Sequence, residues 1–233
     1  VATDRATILG LIAGIVRTDS PSFVGETLEA TLDEAVAKFS VDRPYEDVVD
    51  LTGEDAKLLT APPNWEDEWS VIRSIVYPYE DEDSDVLQAD AYGIERIPVA
   101  GTPTPKIRFR SVEPSSAETV RCWFTRPHVC TAASCTLSLQ QGTAVAYLAA
   151  HLVEKKKASF YNGLSERGIG TDLVDYGRAT EARSLARMHL ETYSQLAGVS
   201  DTGVAPAAVA GDIDVFPKYP GRSPKRHHRW DQR

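Results

Sequence analysis

Cysteine is scarce in this chain. Its 233 residues hold Cys122, Cys130 and Cys135 and no others, too few and too clustered for a disulfide framework, so they read as reduced thiols of a cytosolic product. Long apolar runs are also missing. The longest early one, Ile8 to Val16, is about half of the ~18 residues that spanning a bilayer requires. Acidic Asp4 precedes it, with no basic cluster before it and no small-residue cleavage site before Asp19, which argues against a secretory signal. Apolar residues make up 42% and charged residues 25%, a balance that excludes a wholly disordered, collagen-like or polytopic membrane chain.

Catalytic signatures are equally sparse. Gly163-Leu164-Ser165-Glu166-Arg167-Gly168 is one residue too long for a nucleophile elbow, and no strand leads into it. The run from His151 to Lys156 lacks the second histidine of a zinc-protease helix, and Gly168-Ile169-Gly170 reads as a loop rather than a phosphate cradle. No cofactor is expected.

What is present is periodic. Ile8, Leu11, Ile12, Ile15 and Val16 form one helical stripe, with Thr3 or Asp4 as cap. Gly10 and Gly14 cost helix propensity and are expected to admit a neighbouring backbone on that face. A second helix, from about Gly25-Glu26, carries Leu28, Leu32, Ala35, Val36 and Phe39 on one side. Between Val41 and Pro127 the segments 48–51, 69–77, 106–110 and 119–125 are β-branched or aromatic, and prolines at 62, 63, 78, 103, 105 and 114 separate them, as strands and turns require.

Helical period returns after Ser138 with Val145, Leu148, Ala149 and Leu152, and runs into Lys155-Lys156-Lys157, read as cations near a helix end. A glycine-punctuated connection from Gly163 to Gly177 then leads to a last helix. There Ala182, Leu185, Ala186, His189, Tyr193 and Leu196 share a face before Gly198. The expected class is α+β. A bundle of about four helices (residues 1–40 and 138–198) carries an inserted antiparallel β module (41–137), and an extended basic arm (199–233) follows.

Several clusters could carry chemistry. Asp81, Asp83 and Asp85 have the 1-3-5 spacing of a calcium loop. Val86 replaces the turn glycine and Tyr92 the bidentate glutamate, so a solvated acidic hairpin tip is the stronger reading and a weak divalent site the alternative. Cys122, His128, Cys130 and Cys135 supply four zinc-type ligands without a paired knuckle, which favours small buried hydrophobes around a strand-to-helix turn. His151 and His189 read as hydrogen-bonded core or interface histidines.

The net charge of −9 conceals a division. Residues 217–233 carry six basic side chains against Asp231. Of 25 basic and 34 acidic residues in all, 19 and 33 are left for the rest of the chain. Phe216, Lys218, Tyr219, Arg222, Lys225, Arg226, Arg229 and Trp230 therefore form the candidate partner-binding set. Prolines keep this segment extended, aromatics can anchor, and arginines can grip carboxylates. Single-stranded nucleic acid is the competing partner, opposed by the acidity of the body.

The run Ala144 to His151, the segment Asp172 to Tyr176, the stretch Ala179 to Ala186 with Tyr193, and the strand Trp69 to Pro78 resemble tailed-phage head-to-tail connector adaptors. The resemblance extends over about residues 5–197 in element order. It implies a non-enzymatic virion component at the head–tail junction: a homo-oligomeric, dodecameric ring below the portal protein. Such a ring extends the channel through which genomic DNA passes, and it offers a docking surface to the next neck or tail protein. The arm would then dock on the portal. Two alternatives stand beside this one: a tail-completion or terminator subunit, and a metal-dependent enzyme built on the cysteine and histidine cluster.

Overall fold

The computed structural model describes residues 3–16, 26–80, 85–99, 102–165 and 172–199. Helices α1 (Arg5–Val16) and α2 (Glu26–Asp42) are followed by strands β1 (Tyr45–Thr52), β2 (Leu58–Thr60), β3 (Ile72–Val76), β4 (Tyr92–Val99), β5 (Thr102–Phe109) and β6 (Thr119–Arg126). Helices α3 (Leu139–Ser165) and α4 (Asp172–Ala197) complete the order. The class is α+β, with four helices and two three-stranded antiparallel sheets, of order β1-β6-β3 and β2-β5-β4, among the described residues.

Local chemistry sets the helix ends. Asp4 accepts from the Thr7 amide at 2.6 Å and caps α1; those amide bonds hold its carboxyl below the usual range. Ser138 and Gln141 exchange side-chain-to-amide bonds of 3.3 and 2.8 Å, a reciprocal capping box that opens α3. Gly198, at φ 63°, lets the Val199 amide reach back to the Ser194 carbonyl at 3.0 Å and closes α4.

The helices share one core. The expected stripes of α1 and α2 are buried at Ile8, Ile12, Val16, Leu28, Leu32, Ala35, Val36 and Phe39. Helix α3 is buried on more sides than one stripe, at Ala144, Val145, Ala146, Leu148, Ala149, Ala150 and Val153, because it packs on α1, α2 and α4 together. Small side chains permit that central position.

Three local expectations are corrected. Gly10 and Gly14 face open space; the close approach lies at Gly142, where a Cβ would stand 2.8 Å from Thr3 Cγ2. Lys155–Lys157 lie well inside α3, which continues to Ser165. Lys157 pairs with buried Glu154 at 2.8 Å and reaches the last carbonyl of α1, while Lys156 bonds Thr31 and Glu34 of α2. Gly163 and Gly177 are helical rather than connecting, since the long α3–α4 contact outweighs a glycine's modest helix cost.

The two sheets also share a core: Leu59, Ile75, Ile107, Phe109, Val120, Cys122 and Phe124. Ile107 and Phe109 are buried while Arg108 and Arg110 are exposed, so β5 has the wet face its alternation implies. The sequence pattern does not mark strands β2 and β4, and Trp69 sits in the turn before β3 rather than leading the strand. Pro103 and Pro105 lie within β5 rather than between strands. They face Pro98 and Arg96 of β4, beyond the part of β5 that β2 pairs, where two alternate missing amides break no ladder.

Candidate functional site

The stronger contacts between elements run helix to helix or strand to strand, so the place where the chain crosses between the two groups fixes their mutual orientation. It crosses twice, from α2 into β1 and from β6 into α3. His128, 6% exposed, sits where the crossings meet. Its amide donates to Ser40 Oγ at 2.9 Å, Nδ1 lies 3.1 Å from Thr136 Oγ1, and Nε2 lies 3.0 Å from the Arg43 carbonyl. A carbonyl can only accept, so Nε2 carries the proton and neutral Nδ1 accepts from the Thr136 hydroxyl. The ring also meets Phe39 and Tyr45, with centroids 5.2 and 5.6 Å away. Burial lowers its pKa and favours this neutral form.

Around it, Arg43 donates to the carbonyls of Ala197 and Gly198 at 2.8 and 3.0 Å, satisfying the end of α4. The Tyr193 hydroxyl donates to Asp42 Oδ2 at 2.5 Å, and burial raises its pKa, which keeps it a donor. Arg5 bridges Asp33 (2.6 Å) and the Cys130 carbonyl (2.8 Å), tying α1 and α2 to the hairpin between β6 and α3. The ends of α2 and α4, the start of β1 and the β6–α3 hairpin are thus gathered into one polar joint. A joint of this kind ties the helix ends to the start of β1 and the end of β6 through buried hydrogen bonds.

The outer face of β1 and β6 carries Asp50 opposite Arg121 in a two-pronged pair of 2.6 and 2.7 Å, with the guanidinium stacked on Tyr79. Val48, opposite Trp123, is half exposed. Val71, which pairs its backbone with Thr125, and Trp69 are also exposed. Val48 and Val71 thus leave apolar surface exposed on this sheet near an ion pair, and Trp69 adds an exposed aromatic in the turn before β3.

The four proposed zinc ligands do not converge. Cys122 is buried between the sheets, where desolvation pushes its thiol up to about 12, whereas Cys130 belongs to the helical core. Both ring nitrogens of His128 are engaged as described. Among the described residues no three His, Cys, Asp or Glu side chains gather as a metal site.

The acidic run is described only at its ends. The Tyr77 amide donates to the Asp85 carbonyl, Val76 bridges Val86, and residues 81–84 lie outside the described residues. His151 donates from Nδ1 to the Ala186 carbonyl at 2.8 Å and joins α3 to α4, as expected of an interface histidine. His189 is buried beside Tyr147, in the core position expected of it, and its Nδ1 has no hydrogen-bond partner. Phe216, Lys218, Tyr219, Arg222, Lys225, Arg226, Arg229 and Trp230 all lie outside the described residues. The joint itself was missed. Arg43, Tyr193 and Asp42 are ordinary residues far apart in sequence, and the only signal was His128 just after a strand. Among the described residues no helix is long and apolar enough to cross a membrane.

No family model matches the chain, and no curated protein does. Among solved structures, a chain of the "Neck of native GTA particle computed with C12 symmetry" is similar over 66% of this chain and 82% of its own, with 16% sequence identity and a TM-score of 0.26.

Proposed function

We propose that this chain is a structural neck adaptor of a phage-like particle. In this reading it assembles as a ring below the portal, its acidic body borders the DNA passage, and its basic C-terminal arm fastens the ring to the portal. The observation that carries the reading is charge separation in one polypeptide, with 33 acidic and 19 basic side chains in the body against six basic and one acidic in the last 17 residues. Carboxylates along a channel repel phosphates and let a genome slide. An arm from every subunit gives multivalent attachment, in which individually weak contacts hold a ring firmly.

Support also comes from the joint at His128. A ring closes only if each subunit presents its two faces at a fixed angle, and the joint supplies that angle. The exposed side chains of Val48, Trp69 and Val71 are then the surface offered to the next neck or tail protein.

The test compares the full chain with a chain ending at residue 211, each mixed with portal rings of the same particle. Truncation is expected to abolish co-sedimentation while the far-ultraviolet circular dichroism spectrum stays unchanged. Retained attachment by the folded truncated chain would overturn the role of the arm. Replacing Arg222, Lys225, Arg226 and Arg229 by Ala should weaken docking and flatten its salt dependence. Negative-stain images of assembled particles should place rings at the portal junction; rings at the far end of a tail would instead support a terminator.

A further inference from the structure

The hairpin between β6 and α3 brings two sulfurs together. Cys130 and Cys135 are bridge partners, and their Sγ atoms lie 3.2 Å apart. The flanking rungs are the Thr136 amide to the Val129 carbonyl (2.8 Å) and the Thr131 amide to the Ser134 carbonyl (2.8 Å). Those rungs make Cys130 and Cys135 a non-hydrogen-bonded pair, the position where facing side chains stand closest, with Cα atoms about 4.5 Å apart. That separation falls within the range a disulfide spans. The two cysteines also differ in access: Cys130 is 7% exposed, whereas Cys135 is half-buried and reachable from solvent.

We propose that Cys130 and Cys135 form a thiol–disulfide exchange site that small-molecule disulfides such as oxidised glutathione close into an intramolecular disulfide. The Cys135 thiolate attacks one sulfur of the oxidant, forming a mixed disulfide and expelling one glutathione thiolate. Cys130 then loses its proton and attacks Cys135 Sγ, forming the Cys130–Cys135 bond and releasing the second glutathione thiolate. Two protein thiols are oxidised, one oxidant disulfide is reduced, and the two protons end on two glutathione thiols.

Desolvation and the neighbouring sulfur push the Cys130 thiol up to about 12. Cys130 is therefore a poor first nucleophile but a well-placed second one, because proximity offsets its low ionisation. Cys122, buried between the sheets, has no such partner among the described residues.

The test exposes the folded full-length protein to oxidised glutathione, quenches with acid, alkylates in denaturant and reads peptides by mass spectrometry. The peptide spanning residues 130–135 is expected to be lighter by two hydrogens and to carry no alkyl group or glutathione, while Cys122 remains alkylated. Dithiothreitol should restore all three alkylations. In Cys130→Ser the reaction should stop at a glutathione adduct on Cys135. Full alkylation of both cysteines in the wild-type protein, or a stable glutathione adduct on wild-type Cys135, would overturn the proposal.

Discussion

The helical and strand units of this molecule reach stability by different means. The helices pack around a central α3 whose buried positions are rich in alanine, and they also enclose the polar side chains of Thr31, Ser40, Glu154 and His189. The sheets enclose a core dominated by Phe109, Phe124 and branched aliphatics, and they hold their outer faces with ion pairs such as Arg121–Asp50, Arg108–Glu95 and Lys106–Glu54. Exposed pairs of this kind contribute about 1 kcal/mol or less each, so the β unit depends on its small core and on tight turns. The contrast shows where the chain can tolerate change: the helical unit yields by side-chain movement, while the β unit has places where only backbone could yield.

Gly53 is such a place, and substitution there gives the largest effect. A Cβ at Gly53 would lie 2.1 Å from the Ser115 carbonyl oxygen and 2.6 Å from Pro114. Backbone must therefore shift, and Gly53→Ala is expected to cost about 3 kcal/mol. Gly142→Ala is the matched probe in the helical unit. It meets the Thr3 side chain at 2.8 Å, which can rotate away, so about 1 kcal/mol is expected. Trp65, Trp69 and Trp123 lie in the β unit, so in a Trp230→Phe background tryptophan fluorescence follows the sheets, and circular dichroism at 222 nm follows the helices. Gly53→Ala should lower the fluorescence midpoint further than the helical one; coincident shifts would mean that the units unfold as one.

The joint supplies the next effect. Tyr193→Phe removes the donor to Asp42 and leaves that carboxylate short of a partner at the contact between α2 and α4. A loss of about 1–2 kcal/mol is expected. The helical midpoint should fall while the fluorescence midpoint follows only partly, and thermal melts with both signals would show it.

Much of the element pattern was legible in the sequence. The α2 stripe maps residue for residue onto buried positions, and the α1 stripe does so at Ile8, Ile12 and Val16 but leaves Leu11 and Ile15 only partly buried, since a period of 3.6 reports a buried face. Strand β5 was recognised by the alternation of Ile107 and Phe109 with basic residues. Strand β4 was not, because Gly93, Glu95, Arg96 and Pro98 are poor strand formers that only an edge position next to β5 tolerates. The polar joint stayed hidden for a related reason. Residues 42, 43, 128, 136 and 193 meet through tertiary packing, and no local spacing encodes that meeting. The basic arm was legible as composition, which reveals a charge but no contact.

Acid should separate the units by pH window. Burial lowers the pKa of His128 and of His189 below the ordinary 6.5. As pH falls below 6.5 the unfolded chain takes up protons that the folded chain resists, so their stabilisation is present at neutral pH and lost on acidification. In the β unit, Asp50, Glu54 and Glu118 are held below their ordinary values by hydrogen bonds from Arg121, Thr60 and Ser115 respectively. Their stabilisation is present above the ordinary carboxylate range and is lost only as pH falls through their depressed values. The helical midpoint should therefore decline first, below about pH 6.5, and the fluorescence midpoint at more acid pH. His128→Gln should flatten the first decline; an unchanged slope would show that His128 does not report the joint.

The smallest effects run in the opposite direction. Gly10 and Gly14 lie inside α1 with nothing within 4 Å of where a Cβ would stand, and neither has a positive φ. Alanine at each position would restrict the unfolded chain without meeting any neighbour, so each substitution is expected to stabilise by about 0.5–1 kcal/mol. The helical signal should rise more than the fluorescence signal, because the main packing of α1 is on α3 and α2.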